Sequence, residues 1–260
     1  CTRLVKSVSS TSLLATDREK LLEEIQVLQK EIDALLTQAI EKMPNEGILH
    51  YIKGKYQYLV FNSAYVGREV KSIPTDGYDN LIKSLEKSVE LDDDKGMWLF
   101  VLATAYQEKS ELITDGSEYL YKSYQCLKSA LYKRDLLLIE NHPKHSSAWN
   151  VCFGQLYFRL VHNATALAET AENEIQKEIF LETAEEFTII LKDQFGDAFP
   201  LVQACNGFIA MAKGEFANAE TLLYRSFINS KGNPSPLIMY KLSQAINYNK
   251  NTVLSLRFHD

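Results

Sequence analysis

Apolar residues recur at helical spacing along almost the whole chain. From residue 17 onward they return every three or four positions, and Glu, Lys and other polar residues fill the positions between them. Such spacing places the apolar side chains on one face of an α-helix. Short segments rich in Pro, Gly or Asp interrupt the pattern and are typical of helix ends. We therefore predict an all-α protein of about ten helices, paired as antiparallel hairpins and joined by short turns, without strands.

Two helix boundaries follow directly from this pattern. A long helix is predicted over residues 118–141, because a proline at position 143 disfavours helix for the residue before it. The last helix is predicted over residues 237–248, after Pro234 and Pro236, with a frayed tail.

One segment, residues 200–233, carries a more specific pattern. Small residues, a Gly-containing turn, an aromatic residue and a large apolar residue follow one another in the order Gly207, Gly214, Phe216, Ala219, Leu223 and Ser226. Two antiparallel helices that cross closely need Gly or Ala at their contact. The spacing resembles the tetratricopeptide repeat family. That resemblance implies that Gly207 and Ala219 are the close-contact positions of helices A and B. It also implies that Gly214 and Phe216 form the turn and the first anchor of helix B.

The repeat register is clear only in this C-terminal segment. The turns elsewhere fall at irregular intervals, so we expect the N-terminal two-thirds of the array to depart from the repeat. No shift of composition marks a linker after about residue 16. We predict a single helical domain over residues 17–260, preceded by a Ser/Thr-rich tether over residues 1–16.

The first residue of the chain is a cysteine. A chain that begins with Cys resembles a bacterial lipoprotein after removal of its signal peptide, in which that cysteine carries the lipid. The resemblance implies that Cys1 is a lipid-attachment site and that the protein is anchored to a bacterial membrane. The alternative is a sequence that starts on Cys by chance. Cys126, Cys152 and Cys205 lie in apolar helical patterns without CxxC spacing, so we interpret them as buried apolar side chains.

Charge and motifs narrow the classes of function. The net charge is −6 and no basic stripe is present, so we predict no nucleic-acid partner. His142 and His145 flank a proline in a predicted loop, and no HExxH motif or Cys/His cluster accompanies them. Nucleotide-binding glycine motifs and the GxSxG motif are also missing. We therefore predict no metal site, no cofactor, no catalytic residues and no enzymatic activity.

Three tyrosines of the second predicted helix recur every seven residues and share one helix face: Tyr51, Tyr58 and Tyr65. They could pack in the core with their hydroxyl groups at the surface. Alternatively they line a groove or concave face that binds a small organic ligand, since arrays of helical hairpins form such surfaces. The sequence leaves both interpretations open.

A second resemblance covers about half of the chain. Cys1 precedes a long helix that ends at Met43-Pro44-Asn45 and an aromatic helix with Tyr56 to Tyr65. The segments Ala130-Leu131-Tyr132-Lys133-Arg134 and Glu140-Asn141-His142-Pro143 follow. This order is similar to the TRAP-transporter-associated lipoproteins, the T components of tripartite solute uptake systems. The resemblance implies a periplasmic, lipid-anchored helical body that docks a solute-binding protein as its partner. The alternative function is an envelope assembly scaffold, of outer-membrane or pilus machinery, without a ligand cavity.

Overall fold

The computed structural model describes residues 15–65, 76–133, 153–230 and 235–257. Within these ranges the chain forms ten α-helices and no strand, which confirms the predicted all-α class. The helices are α1 (Ala15–Lys42), α2 (Gly47–Tyr65), α3 (Asp76–Leu91), α4 (Gly96–Leu112), α5 (Ser117–Ala130), α6 (Gln155–Glu169), α7 (Glu174–Phe195), α8 (Pro200–Ala212), α9 (Phe216–Asn229) and α10 (Pro236–Arg257).

Within α1 to α4, and within α5 to α10, helices that follow one another in the chain pack as adjacent, antiparallel pairs. In α2 and α3, for example, Gly47 at the start of one helix lies against Leu91 at the end of the other, and Gly77 lies against Phe61. The helices group into two compact units, Cys1–Thr114 with α1 to α4, and Asp115–Asp260 with α5 to α10. We call them the N-terminal and C-terminal units. The single domain over residues 17–260 stays a prediction, as does the tether, whose residues lie mostly outside the described ranges.

The same buried register recurs on every second helix from α3 to α9. Three buried positions, separated by four and then three residues, fall on one helix face. They are Leu81, Leu85 and Ser88 on α3; Ser123, Leu127 and Ala130 on α5; Ala184, Thr188 and Leu191 on α7; and Ala219, Leu223 and Ser226 on α9. The predicted irregularity therefore lies in the unequal intervals between these helices, while the packing face stays the same.

Two helix ends differ from the sequence-based expectation. Helix α5 ends at Ala130 and does not continue through residues 131–133. There the Tyr132 amide donates to the Ser129 carbonyl at 3.2 Å and the Lys133 amide to the Ala130 carbonyl at 3.1 Å, so the last turn tightens to i→i+3 bonding. The rest of the predicted 118–141 helix lies outside the described residues. Helix α10 runs on to Arg257, beyond the predicted end at residue 248, because polar residues near a chain end do not by themselves stop a helix.

Candidate binding surface

The hairpin of α8 and α9 supports the candidate surface, and its close crossing depends on a glycine. A Cβ atom added at Gly207 would lie 2.7 Å from Leu223 Cγ and 3.4 Å from the Leu223 backbone nitrogen. Leu223 and Ala219 are fully buried on the facing side of α9. One turn further on, Ser226 Oγ donates a hydrogen bond of 2.7 Å to the Pro200 carbonyl across the hairpin.

A three-residue turn closes this hairpin. Gly214 adopts a φ of +79°, a backbone conformation that residues with a Cβ rarely adopt. Its amide donates to the Met211 carbonyl at 2.9 Å, which ends α8. Phe216 then begins α9, and its ring stacks on Tyr248 of α10 with the centroids 4.9 Å apart. All six residues of the predicted repeat pattern thus lie along one hairpin.

Beside this hairpin, residues of α7, α8 and α9 line a cleft of about 520 Å³, which we call the α7–α9 cleft. Helix α8 is its floor, and α7 and α9 are its walls. Its apolar lining comes from Ile189 on α7, Ile209 and Ala210 on α8, and Leu222 on α9. Ile189 is 57% exposed, so an apolar surface remains open to solvent at this edge of the cleft.

Charged side chains surround this apolar lining. Lys213 Nζ lies 2.5 Å from Glu185 Oε1, and Lys192 Nζ lies 3.0 Å from Asp197 Oδ1. Glu215, which also lines the cleft, accepts a hydrogen bond of 3.0 Å from Asn218 Nδ2. The cleft therefore has an apolar interior and a charged rim.

A second cleft of about 490 Å³ continues along α7, and we call it the acidic cleft. It shares Glu185 and Lys213 with the α7–α9 cleft, so the Lys213–Glu185 ion pair stands where the two meet. The remaining lining is Leu181 together with Glu174, Lys177, Glu178 and Glu182. Acidic side chains outnumber basic ones in this lining, and they follow α7 at intervals of about one turn.

Two of the three predicted groove tyrosines are held inside the N-terminal unit. The Tyr51 ring stacks on Trp98 with the centroids 5.1 Å apart and the planes 15° apart. Tyr58, half-buried, donates a hydrogen bond of 2.6 Å to Glu108 Oε1. The Tyr65 side chain lies outside the described part of the structure. A ligand-lining role for the three tyrosines stays a prediction.

Glu108 on α4 joins two tyrosines from two other helices. Besides Tyr58 on α2, it accepts a hydrogen bond of 2.9 Å from the Tyr78 hydroxyl on α3. Burial, followed by the charge of Glu108, raises the pKa of Tyr78 well above its ordinary value. The sequence carried no signal for this polar contact, because its partners are distant in the chain.

The C-terminal unit encloses a different set of polar groups. His162 on α6 is buried, and its ring meets Phe208 edge-on at 5.5 Å. Burial, reinforced by Lys241 and Arg159, lowers the pKa of His162 to about 3, so the imidazole is neutral near pH 7. Lys241 is buried as well and lies 3.3 Å from Glu169 Oε2. His162 and Lys241 thus lie in the interior between helices, Glu169 is exposed, and none of the three lines either cleft.

The structure also bears on the cysteines, on metal binding and on membrane-spanning helices. Cys205 is buried, and that burial raises the pKa of its thiol, whereas Cys1 and Cys152 lie outside the described residues. The described residues contain no group of three or more His, Cys, Asp or Glu side chains able to hold a metal ion. Among the helices that the structure describes, none combines the length and the apolar character needed to cross a bilayer.

The sequence did not predict one glycine at a close helix contact. Gly54 on α2 occupies the same place against Leu85 that Gly207 occupies against Leu223, and an added Cβ would lie 2.6 Å from Leu85 Cγ. It would also lie 3.1 Å from the Leu81 carbonyl oxygen. Residues 66–75 lengthen the interval between Gly54 and Leu85, which hides the match to the repeat.

Comparison with known proteins gives a structural likeness and no family. No protein-family model matches the chain, and no curated protein sequence matches it. A solved structure of an assembly chaperone of RpL4 (Acl4, residues 1–338) is similar over 98% of this chain and 89% of that chain. The sequence identity is 12% and the TM-score is 0.49.

Proposed function

We propose that the protein is a non-enzymatic helical-repeat protein that binds a protein partner in the α7–α9 cleft. The observation that carries the proposal is an exposed apolar side chain, Ile189, beside a cleft of about 520 Å³ with an apolar floor. Its floor and walls are helices held by fully buried contacts such as that of Gly207 with Leu223. A rigid apolar centre with a charged rim is the arrangement that protein interfaces use.

Four titratable groups with shifted pKa values lie outside the two clefts. Active sites depend on groups whose pKa values are shifted within an accessible cleft. Tyr56, Tyr78, His162 and Cys205 have shifted pKa values, and none of these four lines either cleft. In each of the four the first cause of the shift is burial, as expected for groups enclosed by packing.

The narrower form of the proposal rests on the sequence resemblance. In that form Cys1 carries a lipid that anchors the protein to a bacterial membrane, and the body faces the periplasm. Its partner is a solute-binding protein in TRAP-type uptake of a small organic ligand. The order of motifs from Cys1 through the aromatic helix α2 supports this form.

The alternative is an envelope assembly scaffold without a ligand cavity. A specific observation favours it, because the Tyr51 ring is stacked on Trp98 and the Tyr58 hydroxyl is bonded to Glu108. Rings engaged in this way are less free to meet a small ligand. Both forms keep the same binding cleft and differ in the identity of the partner.

Site-specific photocrosslinking tests the proposal. A photoreactive phenylalanine analogue replaces Ile189 in the cleft, and in the control it replaces Ile179 on the same helix, outside both clefts. The two side chains are 57% and 54% exposed, so the positions differ in place and not in accessibility. We expect one discrete crosslinked protein in native membranes from position 189 and none from position 179.

The identity of the crosslinked protein separates the two forms. A periplasmic solute-binding protein would support the transport form, and an outer-membrane or pilus assembly protein would support the scaffold. Equal crosslinking from both positions, or none from either, would contradict a partner in the α7–α9 cleft.

A further inference from the structure

The rim of the α7–α9 cleft carries a carboxylate without a cation. Of its three acidic residues, Glu185 is paired with Lys213 and Asp197 with Lys192. Glu215 is hydrogen-bonded to Asn218 and forms no ion pair within the described residues. A partner group that meets Glu215 would therefore find a negative charge still open to a cation.

The acidic cleft adds two more such carboxylates. Lys177 lies 3.7 Å from Glu174, and Lys213 is held by Glu185, so both basic residues of this lining are already engaged. Glu178 and Glu182 have no basic partner among the residues that the structure describes. They stand one helical turn apart on either side of Leu181, next to the ion pair that joins the two clefts.

We infer that the partner presents to the α7–α9 cleft a protein segment that combines apolar side chains with lysine or arginine. This inference rests on the proposed function and names the chemistry of its partner. The apolar side chains fill the space between Ile189, Ile209 and Leu222. The cations meet the carboxylates of Glu178, Glu182 and Glu215.

The two halves of this recognition have different roles. Exposed ion pairs contribute little affinity, because water and salt screen them. Burial of apolar side chains against the cleft floor therefore supplies most of the affinity. The uncompensated carboxylates supply selectivity and speed the encounter, and they repel acidic segments. They also disfavour nucleic acid, whose phosphates carry the same charge.

Three matched peptides test the inference on the full chain. Each is a labelled 14-residue peptide with the same leucines at helical spacing, and the remaining positions are all Lys, all Gln or all Glu. Binding is measured by fluorescence anisotropy at low salt. We expect the Lys peptide to bind roughly tenfold more tightly than the Gln peptide, and the Glu peptide to bind most weakly. Equal affinity of the three peptides would overturn the inference.

Variants that remove negative charge test whether the preference for the Lys peptide arises in the cleft. The double variant Glu178→Gln/Glu182→Gln should weaken binding of the Lys peptide by roughly threefold to tenfold and leave the Gln peptide unchanged. The matched control is Glu172→Gln/Glu186→Gln, which removes two exposed carboxylates of the same region that line neither cleft. If the control variant weakens binding as much as the cleft variant, the attraction belongs to the net charge, and the inference is wrong.

A variant that removes an apolar side chain from the cleft tests the apolar part of the recognition. It also separates the inference from the proposed function. Ile189→Ser should weaken the Lys and Gln peptides alike, and its control Ile179→Ser should weaken neither. An unchanged affinity in Ile189→Ser would show that the peptides bind elsewhere, which overturns the inference. If photocrosslinking from position 189 captures a partner while the peptides show no charge preference, only the inference fails. If there is neither a captured partner nor peptide binding, the proposed function fails as well.

Discussion

The hairpins α2/α3 and α8/α9 show one packing contact in two settings. In each, a glycine in the first helix faces a fully buried leucine in the second, Gly54 against Leu85 and Gly207 against Leu223. A Cβ on either glycine would meet the leucine Cγ at nearly the same distance, 2.6 Å and 2.7 Å. The close crossing of the helices is therefore a shared property of the two units.

The settings differ in the connection between the helices and in the contacts of the aromatic residue at the start of the second helix. Helix α8 is joined to α9 by a turn of three residues with Gly214 at positive φ, whereas ten residues separate α2 from α3. At the first anchor position, Tyr78 is hydrogen-bonded to Glu108, while Phe216 stacks on Tyr248. The comparison teaches that the Gly–Leu contact sets the crossing in both hairpins, and that the connection and the flanking contacts vary around it.

Truncation of the two leucines has the largest expected effect. Leu85→Ala and Leu223→Ala each remove a fully buried side chain and leave a cavity beside a glycine, so each should lower the free energy of unfolding by about 2–5 kcal/mol. Urea unfolding followed by circular dichroism measures both. Two losses that agree within about 1 kcal/mol would support a shared contact, and a much smaller loss in one hairpin would break the comparison.

Filling the glycine positions has the next largest effect. Gly54→Ala and Gly207→Ala should each destabilise the fold by about 1–3 kcal/mol, because the new methyl group overlaps the leucine. Gly154→Ala is the control, since its nearest neighbour would be 3.6 Å away.

A double-mutant cycle sharpens the same comparison. Combining each Gly→Ala change with Leu→Ala in the facing helix should cost less than the sum of the two single changes, because the alanine methyl enters the space that leucine has left. Strict additivity in either hairpin would contradict the contact there.

High pH should separate the two hairpins. The pKa of Tyr78 is raised in the folded state, so the unfolded chain gives up this proton first, and stability falls as the pH rises above the unfolded value of about 10. The loss should be about 1 kcal/mol for each pH unit. Tyr78→Phe should remove this part of the alkaline loss, and Phe216 at the equivalent position has no proton to lose. Unfolding at pH 9, 10 and 11 checks this, and equal slopes for the variant and the parent would contradict it.

The smallest expected loss of stability concerns two serines that occupy the same register position, Ser226 and Ser88. Ser226 Oγ bonds across its hairpin to the Pro200 carbonyl, whereas Ser88 Oγ bonds within its own helix to the Leu85 carbonyl. Ser226→Ala should therefore cost about 1 kcal/mol and Ser88→Ala close to zero, because only the first removes a link between helices. Equal costs in chemical denaturation would show that the cross-hairpin bond adds nothing.

The sequence predicted what depends on contiguous spacing. The helical class, the pairing of helices and the pattern from Gly207 to Ser226 all follow from residues a few turns apart. Gly54 was missed because Leu85 lies 31 positions after it, whereas Leu223 lies 16 positions after Gly207. The end of α5 at Ala130 was missed because apolar residues continue at helical spacing beyond it, and periodicity alone does not report where backbone bonding changes.

The clefts lay beyond what the sequence alone shows. The α7–α9 cleft is lined by α7, α8 and α9, and the acidic cleft by α7 and Lys213. The exposure of Ile189 depends on how these helices are spaced. The contact of Glu108 with Tyr58 and Tyr78 joins three helices in the same way. Such groups come together through tertiary packing, which leaves no periodic trace in the chain.

The connection between α2 and α3 has a consequence for how this protein accepts new sequence. The entropy of closing a loop grows only with the logarithm of its length, so ten residues in place of three cost about 1 kcal/mol more. That cost is small beside the contact of Gly54 with Leu85. The junction after Tyr65 is thus a place where evolution or an engineer could insert a loop, an epitope or a whole folded module while the hairpin keeps its crossing.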